Sequence, residues 1–77
     1  MIPLNTKIFN QIRQVQKSGK VDMHNKEFVM HYLYTVKCPE AANWINWNKM
    51  LYMRGLLEGF EIDNTQEAQL RDIHNNK

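Results

Sequence analysis

His24, His31 and Cys38 recur at intervals of seven, and they are the residues of this chain whose types suit a metal ion or a nucleophile pair. On a continuous helix that interval returns each side chain to nearly the same face, but it also separates neighbours by about 10 Å along the axis. A tetrahedral zinc site needs all its ligands within about 2.0–2.3 Å of one ion, so these three do not make one. Pro39 follows Cys38 and ends any helix that carried it there. A nucleophile pair of Cys38 with a histidine needs the two side chains to meet in space, and no local motif supports that meeting. His74 lies in the tail near Asp72 with no partner that its neighbours identify. Gly19, Gly55 and Gly59 form no phosphate-cradling loop. Glu58, Glu61 and Asp63 cluster near a helix end, where a solvated turn accounts for them. The residues therefore read as a non-enzyme, with no catalytic set, no cofactor and no metal.

A chain of 77 residues makes one domain, and at that size only roughly 60% of the unfolded surface is buried on folding. Cys38 is the single cysteine, so no internal disulfide compensates, and a reducing compartment, the cytoplasm, suits the composition. Met1-Ile2-Pro3-Leu4 lacks the basic start and apolar run of a signal peptide. No apolar run approaches the roughly 18 residues of a membrane span, so no membrane role is expected. Oligomerisation or a bound partner remains as the external source of stability.

The net charge of +2 is unevenly spread. Residues 1–38 carry six Lys/Arg against Asp22 and Glu27, leaving +4, whereas residues 39–77 carry four against six acidic residues, leaving −2. Such asymmetry steers an anionic partner to the first half, or lets two copies associate head to tail, unless it is an ordinary solvated surface.

The elements follow from apolar spacing and capping residues. Asn5 or Thr6 caps a first helix running to Lys17, with Ile8, Ile12 and Val15 on one arc, Phe9 beside them, and Lys7, Asn10, Arg13, Gln14 and Lys17 opposite. Ser18-Gly19 stops it, because glycine accepts the left-handed conformation that closes a last turn. The polar run Ser18 to Asn25 then joins it to a second helix, in the broad sense of a helix-turn-helix hairpin. Asn25 caps that second helix, which reaches Val36 or Lys37. Phe28, Val29, Met30, Tyr32, Leu33, Tyr34 and Val36 surround its axis, so it is expected at the centre of the core, with Met30 and Tyr34 as candidates for an exposed contact surface.

Pro39 breaks the chain and restarts it. A third helix is predicted over Glu40 to Glu58, with Asn46-Trp47-Asn48 as the place for a kink. Ala41, Ile45, Tyr52 and Leu56 form one stripe on it, flanked by Ala42, Met53 and Leu57. Trp44, Trp47 and Leu51 form a second stripe. Two stripes call for two neighbours, the core on one side and a second subunit or partner protein on the other, unless the chain's own core consumes both. Gly55 costs about 1 kcal/mol relative to alanine within a helix, which points to a close backbone approach. Gly59 ends the helix, and Phe60-Glu61-Ile62 reads as a short extended link whose apolar residues tuck back. A weak fourth helix, starting at Asp63 or Thr65, has Ala68, Leu70 and Ile73 as thin support, and Asn75-Asn76-Lys77 is expected to be disordered. The fold class predicted is all-α: a single helical domain over residues 1–77, built as a bundle of three helices plus that short C-terminal one, with its ordered core within about residues 5–60.

With the helices laid out, Ile12-Arg13-Gln14-Val15, the turn Ser18 to Asn25 and Val29 resemble the front of a family of short uncharacterised phage and prophage proteins. That family has an Ile-Arg segment, a Gly-Lys turn, an Asn-Met-aromatic-Asp segment and a following Val. Its second half, an aliphatic-rich helix ending in glycine, is matched by Trp44-Ile45 through Asn48-Lys49, Tyr52, Leu56-Leu57 and Gly59. The resemblance covers roughly residues 5–60. It departs at Asp22, where the family has Asn, at Asn25, where it has Asp, and in the connector Lys37-Cys38-Pro39. The family brings no catalytic residues. What the resemblance implies is origin: a phage or mobile-element accessory protein working in a bacterial cytoplasm.

Small accessory proteins of that kind are expected to bind and modulate a host protein, such as a defence or a transcription or replication factor. Trp44, Trp47, Leu51, Met30 and Tyr34 are the candidate contact residues, since aromatic residues and Met are enriched at interfaces. Self-association through the same residues is the related option. The alternative is a small helix-turn-helix-like DNA-binding regulator, with Lys17, Lys20, Lys26 and Lys37 contacting phosphates. Against it, the second helix offers apolar side chains where base reading calls for Arg, Asn, Gln or Ser.

Overall fold

Asn5 begins the helical part of the chain as its residue type predicts: extended at φ −69°, ψ 163°, its side-chain Oδ1 accepts the Ile8 N–H at 2.9 Å. In the computed structural model, which describes residues 1–64, helix α1 spans Thr6–Ser18 and ends at Gly19 with φ 66°. Ile12 and Val15 are buried from it. The following turn is held by Asp22, whose Oδ1 accepts the His24 N–H and whose carbonyl accepts the Asn25 N–H, both at 2.9 Å. Asn25 then caps helix α2, Lys26–Thr35, by accepting the Phe28 N–H at 3.2 Å. Val29 and Leu33 are fully buried, while Phe28 and Tyr34 are exposed. The second helix therefore feeds the core through one face and does not have its apolar residues buried all round.

Helix α2 closes in a Schellman arrangement. The Cys38 N–H donates to the Leu33 carbonyl at 2.7 Å and the Lys37 N–H to the Tyr34 carbonyl at 3.1 Å, which requires a left-handed residue at Lys37, φ 63°. Pro39 starts helix α3, Pro39–Trp47, where a missing N–H costs nothing. Ala41, Ala42 and Ile45 are buried from it.

The predicted third helix is two helices. α3 stops at Asn48, φ −134°, ψ 48°, and α4 runs Lys49–Glu58. Asn48 makes the break tolerable by its chemistry. Its side-chain amide donates to the Trp44 carbonyl at 2.9 Å, supplying a donor that a continued helix would have taken from the backbone, and its own carbonyl accepts the Tyr52 N–H at 2.8 Å. Tyr52 and Gly55 are buried from α4.

The all-α expectation holds coarsely: four helices carry the described residues, and two short strands complete them. Strand β1, Ile2–Leu4, pairs in parallel with β2, Phe60–Ile62, in the register Ile2 to Phe60, Pro3 to Glu61 and Leu4 to Ile62. Ile2 and Leu4 are buried, and Pro3 falls at the alternate position, where a strand without a second neighbour tolerates a residue lacking its N–H. Gly59 reaches this pairing through φ 97°, and its carbonyl accepts the Ile2 N–H at 2.9 Å. The link predicted at Phe60-Glu61-Ile62 is thus a strand, and the helices form the crossover between the paired ends. Asp63 is not helical, since its N–H donates to the Leu4 carbonyl. Asn64 exchanges two bonds of 3.1 Å with Thr6. A fourth helix from Thr65, and disorder at Asn75-Asn76-Lys77, fall outside the described residues. The core gathers Leu4, Ile12, Val15, Val29, Leu33, Ala41, Ala42, Ile45 and Tyr52. No helix among the described residues is long and apolar enough to cross a membrane.

Candidate interaction surface

Trp44, Trp47 and Leu51 do not form one stripe: the break at Asn48 puts Leu51 on α4, and the two tryptophans, three residues apart on α3, have different surroundings. Trp44 stays on α3 and turns inward: its ring meets the Phe60 ring edge-on, with centroids 6.2 Å apart and planes at 77°. Phe60 in turn lies 6.1 Å from the Tyr52 ring. The same Phe60 ring occupies the space over Gly55, where a Cβ would overlap it, so the close approach expected at this glycine is with a side chain. Trp44 is therefore half-buried against the sheet end of the core.

Trp47, the last residue of α3, is 82% exposed. Met50 at the start of α4 is 79% exposed, and Leu51 sits between surface and core at 37%. Only Asn48 and Lys49 intervene between Trp47 and Met50, so exposed apolar residues flank the corner where the chain turns from α3 into α4. The corner continues along α4, where Leu57 is 86% exposed and Met53 is half-buried. Leu57, expected beside the buried stripe, instead faces solvent. Leu57 is the member of this surface that sequence reasoning missed, whereas Met50 and Met53 belong to the excess of aromatic and Met residues over what so small a core needs. The signal for Leu57 was its seven-residue interval from Met50 through Met53.

The other contact candidates are tied into the fold. Met30 is half-buried against the core. Tyr34 keeps half its surface exposed while its hydroxyl donates to the Asn43 Oδ1 at 2.6 Å, linking α2 to α3. The four lysines do not converge. Lys17, Lys20 and Lys26 surround the α1–α2 connection, whereas Lys37 stands beyond the other end of α2, a helix of ten residues that spans about 15 Å.

Tyr52 is fully buried; its hydroxyl donates to the Met23 carbonyl at 2.6 Å, and burial, with the Asp22 carboxylate adding to it, pushes its pKa up to about 12. Glu40 is held below its ordinary value by the Gln11 hydrogen bond first, then by backbone hydrogen bonding and Lys7. His24 Nδ1 stands 3.5 Å from the Asp22 Oδ1 on the exposed turn. Cys38 is half-buried, its Sγ 3.7 Å from the Val36 carbonyl. Among the described residues no three His, Cys, Asp or Glu side chains gather as a metal would require. A groove of about 180 Å³ between α1 and α4 is walled by Phe9, Ile12, Met23, Leu56 and Phe60, with exposed Arg13 and Gln16 beside them. That volume falls short of the roughly 300 Å³ at which small-molecule sites begin.

No protein-family profile, no curated protein and no solved structure matches this chain.

Proposed function

We propose that this chain is an accessory protein of a phage or mobile element that works in a bacterial cytoplasm by binding and modulating a host protein. The observation that carries the binding part is the exposed corner of Trp47, Met50 and Leu51, with Leu57 beyond it on α4. Scattered single apolar residues on a surface need no explanation, but exposed apolar residues grouped at one turn of the chain and including a tryptophan have the composition of an interface core. The resemblance of residues 5–60 to short phage and prophage proteins supports the origin. DNA binding draws less support: α2 presents Glu27, Phe28, His31 and Tyr34 to solvent, which is not a base-reading set, and the lysines are divided between the two ends of α2.

The test is affinity capture from a bacterial lysate by the immobilised full chain and its Trp47→Ala variant in parallel, with bound proteins identified by mass, alongside a DNA mobility shift at several salt concentrations. A protein retained by the parent and lost by the variant is the expected result. Capture unaffected by Trp47→Ala, or a salt-dependent DNA shift with no protein retained, overturns it.

A further inference from the structure

The register of the sheet pairs Ile2 with Phe60 and Leu4 with Ile62, and alternation along each strand puts all four side chains on one face. Ile2 and Leu4 are buried and Phe60 is half-buried, yet Ile62 is 49% exposed. Ile62 stands beside Leu4, which with Phe9, Ile12, Leu56 and Phe60 walls the groove between α1 and α4. Apolar surface therefore runs from the groove to the last residue of β2. The groove's volume of about 180 Å³ is small for a ligand site but suits an aliphatic side chain, since an apolar cavity of about 150 Å³ takes benzene.

The chain leaves β2 at the same place. The Asp63 N–H donates to the Leu4 carbonyl, and Asn64 exchanges its two bonds with Thr6. Thr6, Phe9, Arg13 and Gln16 fall within an arc of about 80° on α1, and the last three line the groove. Asn64, held by the Thr6 side chain, is therefore on the groove side of α1. Phe9 and Gln16 lie about 4.5 and 15 Å beyond Thr6 along the helix axis. Leu70 follows Asn64 by six residues and Ile73 by nine. Six residues span about 9 Å when helical and about 20 Å when extended, so Leu70 reaches the groove in either form. We infer that residues 65–77 of this same chain are the occupant of the groove, seated through Leu70 and Ile73 against Phe9, Leu56 and Phe60 and closing over Ile62. Attachment at Asn64 gives this segment an effective concentration in about the millimolar range, which favours it over the same segment of a second copy. The inference goes beyond the reading of the α3–α4 corner and does not rest on it: the chain's own end fills the groove, so the groove is not open to a partner.

A double-mutant cycle on the full 77-residue chain, read by urea unfolding at several protein concentrations, tests this. Leu70→Asp combined with Ile73→Asp is expected to raise the unfolding equilibrium constant at least about tenfold in the parent, and less than about threefold where Phe9→Ala has already removed one wall of the groove. Leu56→Ala removes the opposite wall and is run as a second cycle, so the result does not depend on Phe9→Ala folding. Amide hydrogen exchange read by mass on the C-terminal peptide is expected to show residues 65–77 protected in the parent and released in the aspartate variant. Aspartates that leave the unfolding constant unchanged, or that cost as much without the groove walls as with them, overturn the inference. So does an effect that grows with protein concentration, which would give the groove to the segment of a second copy.

Discussion

The side-chain carbonyl of Gln11 accepts the backbone N–H of Ala41 at 2.9 Å, so α1 caps α3. The cap has to come from elsewhere, because Cys38 at the N-cap position makes no side-chain cap bond. The amide of Gln11 also donates to the Glu40 Oε1 at 3.0 Å, and Lys7 stands 3.2 Å from the other carboxylate oxygen.

Gln11→Ala is expected to lower stability by about 1–2 kcal/mol, the range for losing a helix cap or orphaning a buried donor. Urea unfolding followed by circular dichroism measures it. The Glu40 carboxyl is held below its ordinary value in the folded state. Its contribution is therefore present above the unfolded pKa and fades as pH falls through the lower folded one. In Gln11→Ala that acid-side loss should shrink, because the largest cause of the shift is gone.

Tyr52→Phe removes the hydroxyl that satisfies the Met23 carbonyl and is expected to cost about 1–2 kcal/mol. The pH dependence distinguishes this bond from packing. With the folded phenol raised to about 12 and an unfolded tyrosine near about 10, the folded state holds its proton longer. The stabilisation is complete below the unfolded value and is lost as pH rises through the folded one. The parent should lose stability relative to Tyr52→Phe across that alkaline window, read from urea midpoints at each pH. Parallel curves would show that Tyr52 does not titrate as its burial requires.

Helices α1 and α2, their caps at Asn5 and Asn25 and the stop at Gly19 were legible because local spacing and capping chemistry decide them. So was the burial of Ala41, Ile45 and Tyr52, which share a face in short segments on either side of the break. The break at Asn48 was flagged but not resolved, since a side-chain amide replacing a backbone donor leaves the same apolar periodicity in the sequence. The pairing of Ile2–Leu4 with Phe60–Ile62 was not legible: three residues carry no pattern, and the partner lies more than fifty positions away. The differing exposure of Trp44 and Trp47 was not legible either, because both lie on α3 and what covers Trp44 is Phe60, a residue of the unforeseen strand pairing.

Lys37 stands where a helix end of this geometry ordinarily has glycine, and it holds φ 63° with a Cβ that disfavours it. Lys37→Gly is expected to raise stability by up to about 1 kcal/mol, the relief of the left-handed strain less the entropy glycine adds to the unfolded chain. Thermal unfolding at one protein concentration reads it. A lower midpoint would mean that the lysine side chain makes a compensating contact.

The two tryptophans should separate cleanly. Trp44 packs edge-on to Phe60, so Trp44→Ala opens a cavity beside Phe60 and is expected to cost roughly 2–4 kcal/mol. Trp47 is 82% exposed, and Trp47→Ala should change monomer stability by less than about 0.5 kcal/mol. In single-tryptophan forms made with Trp→Phe, emission from Trp47 should lie at longer wavelength and be quenched more by acrylamide than emission from Trp44. A partner or second copy that covers the α3–α4 corner should then shield Trp47 selectively. If Trp47→Ala destabilises the monomer as much as Trp44→Ala, the corner belongs to the core, and its exposure is no argument for binding.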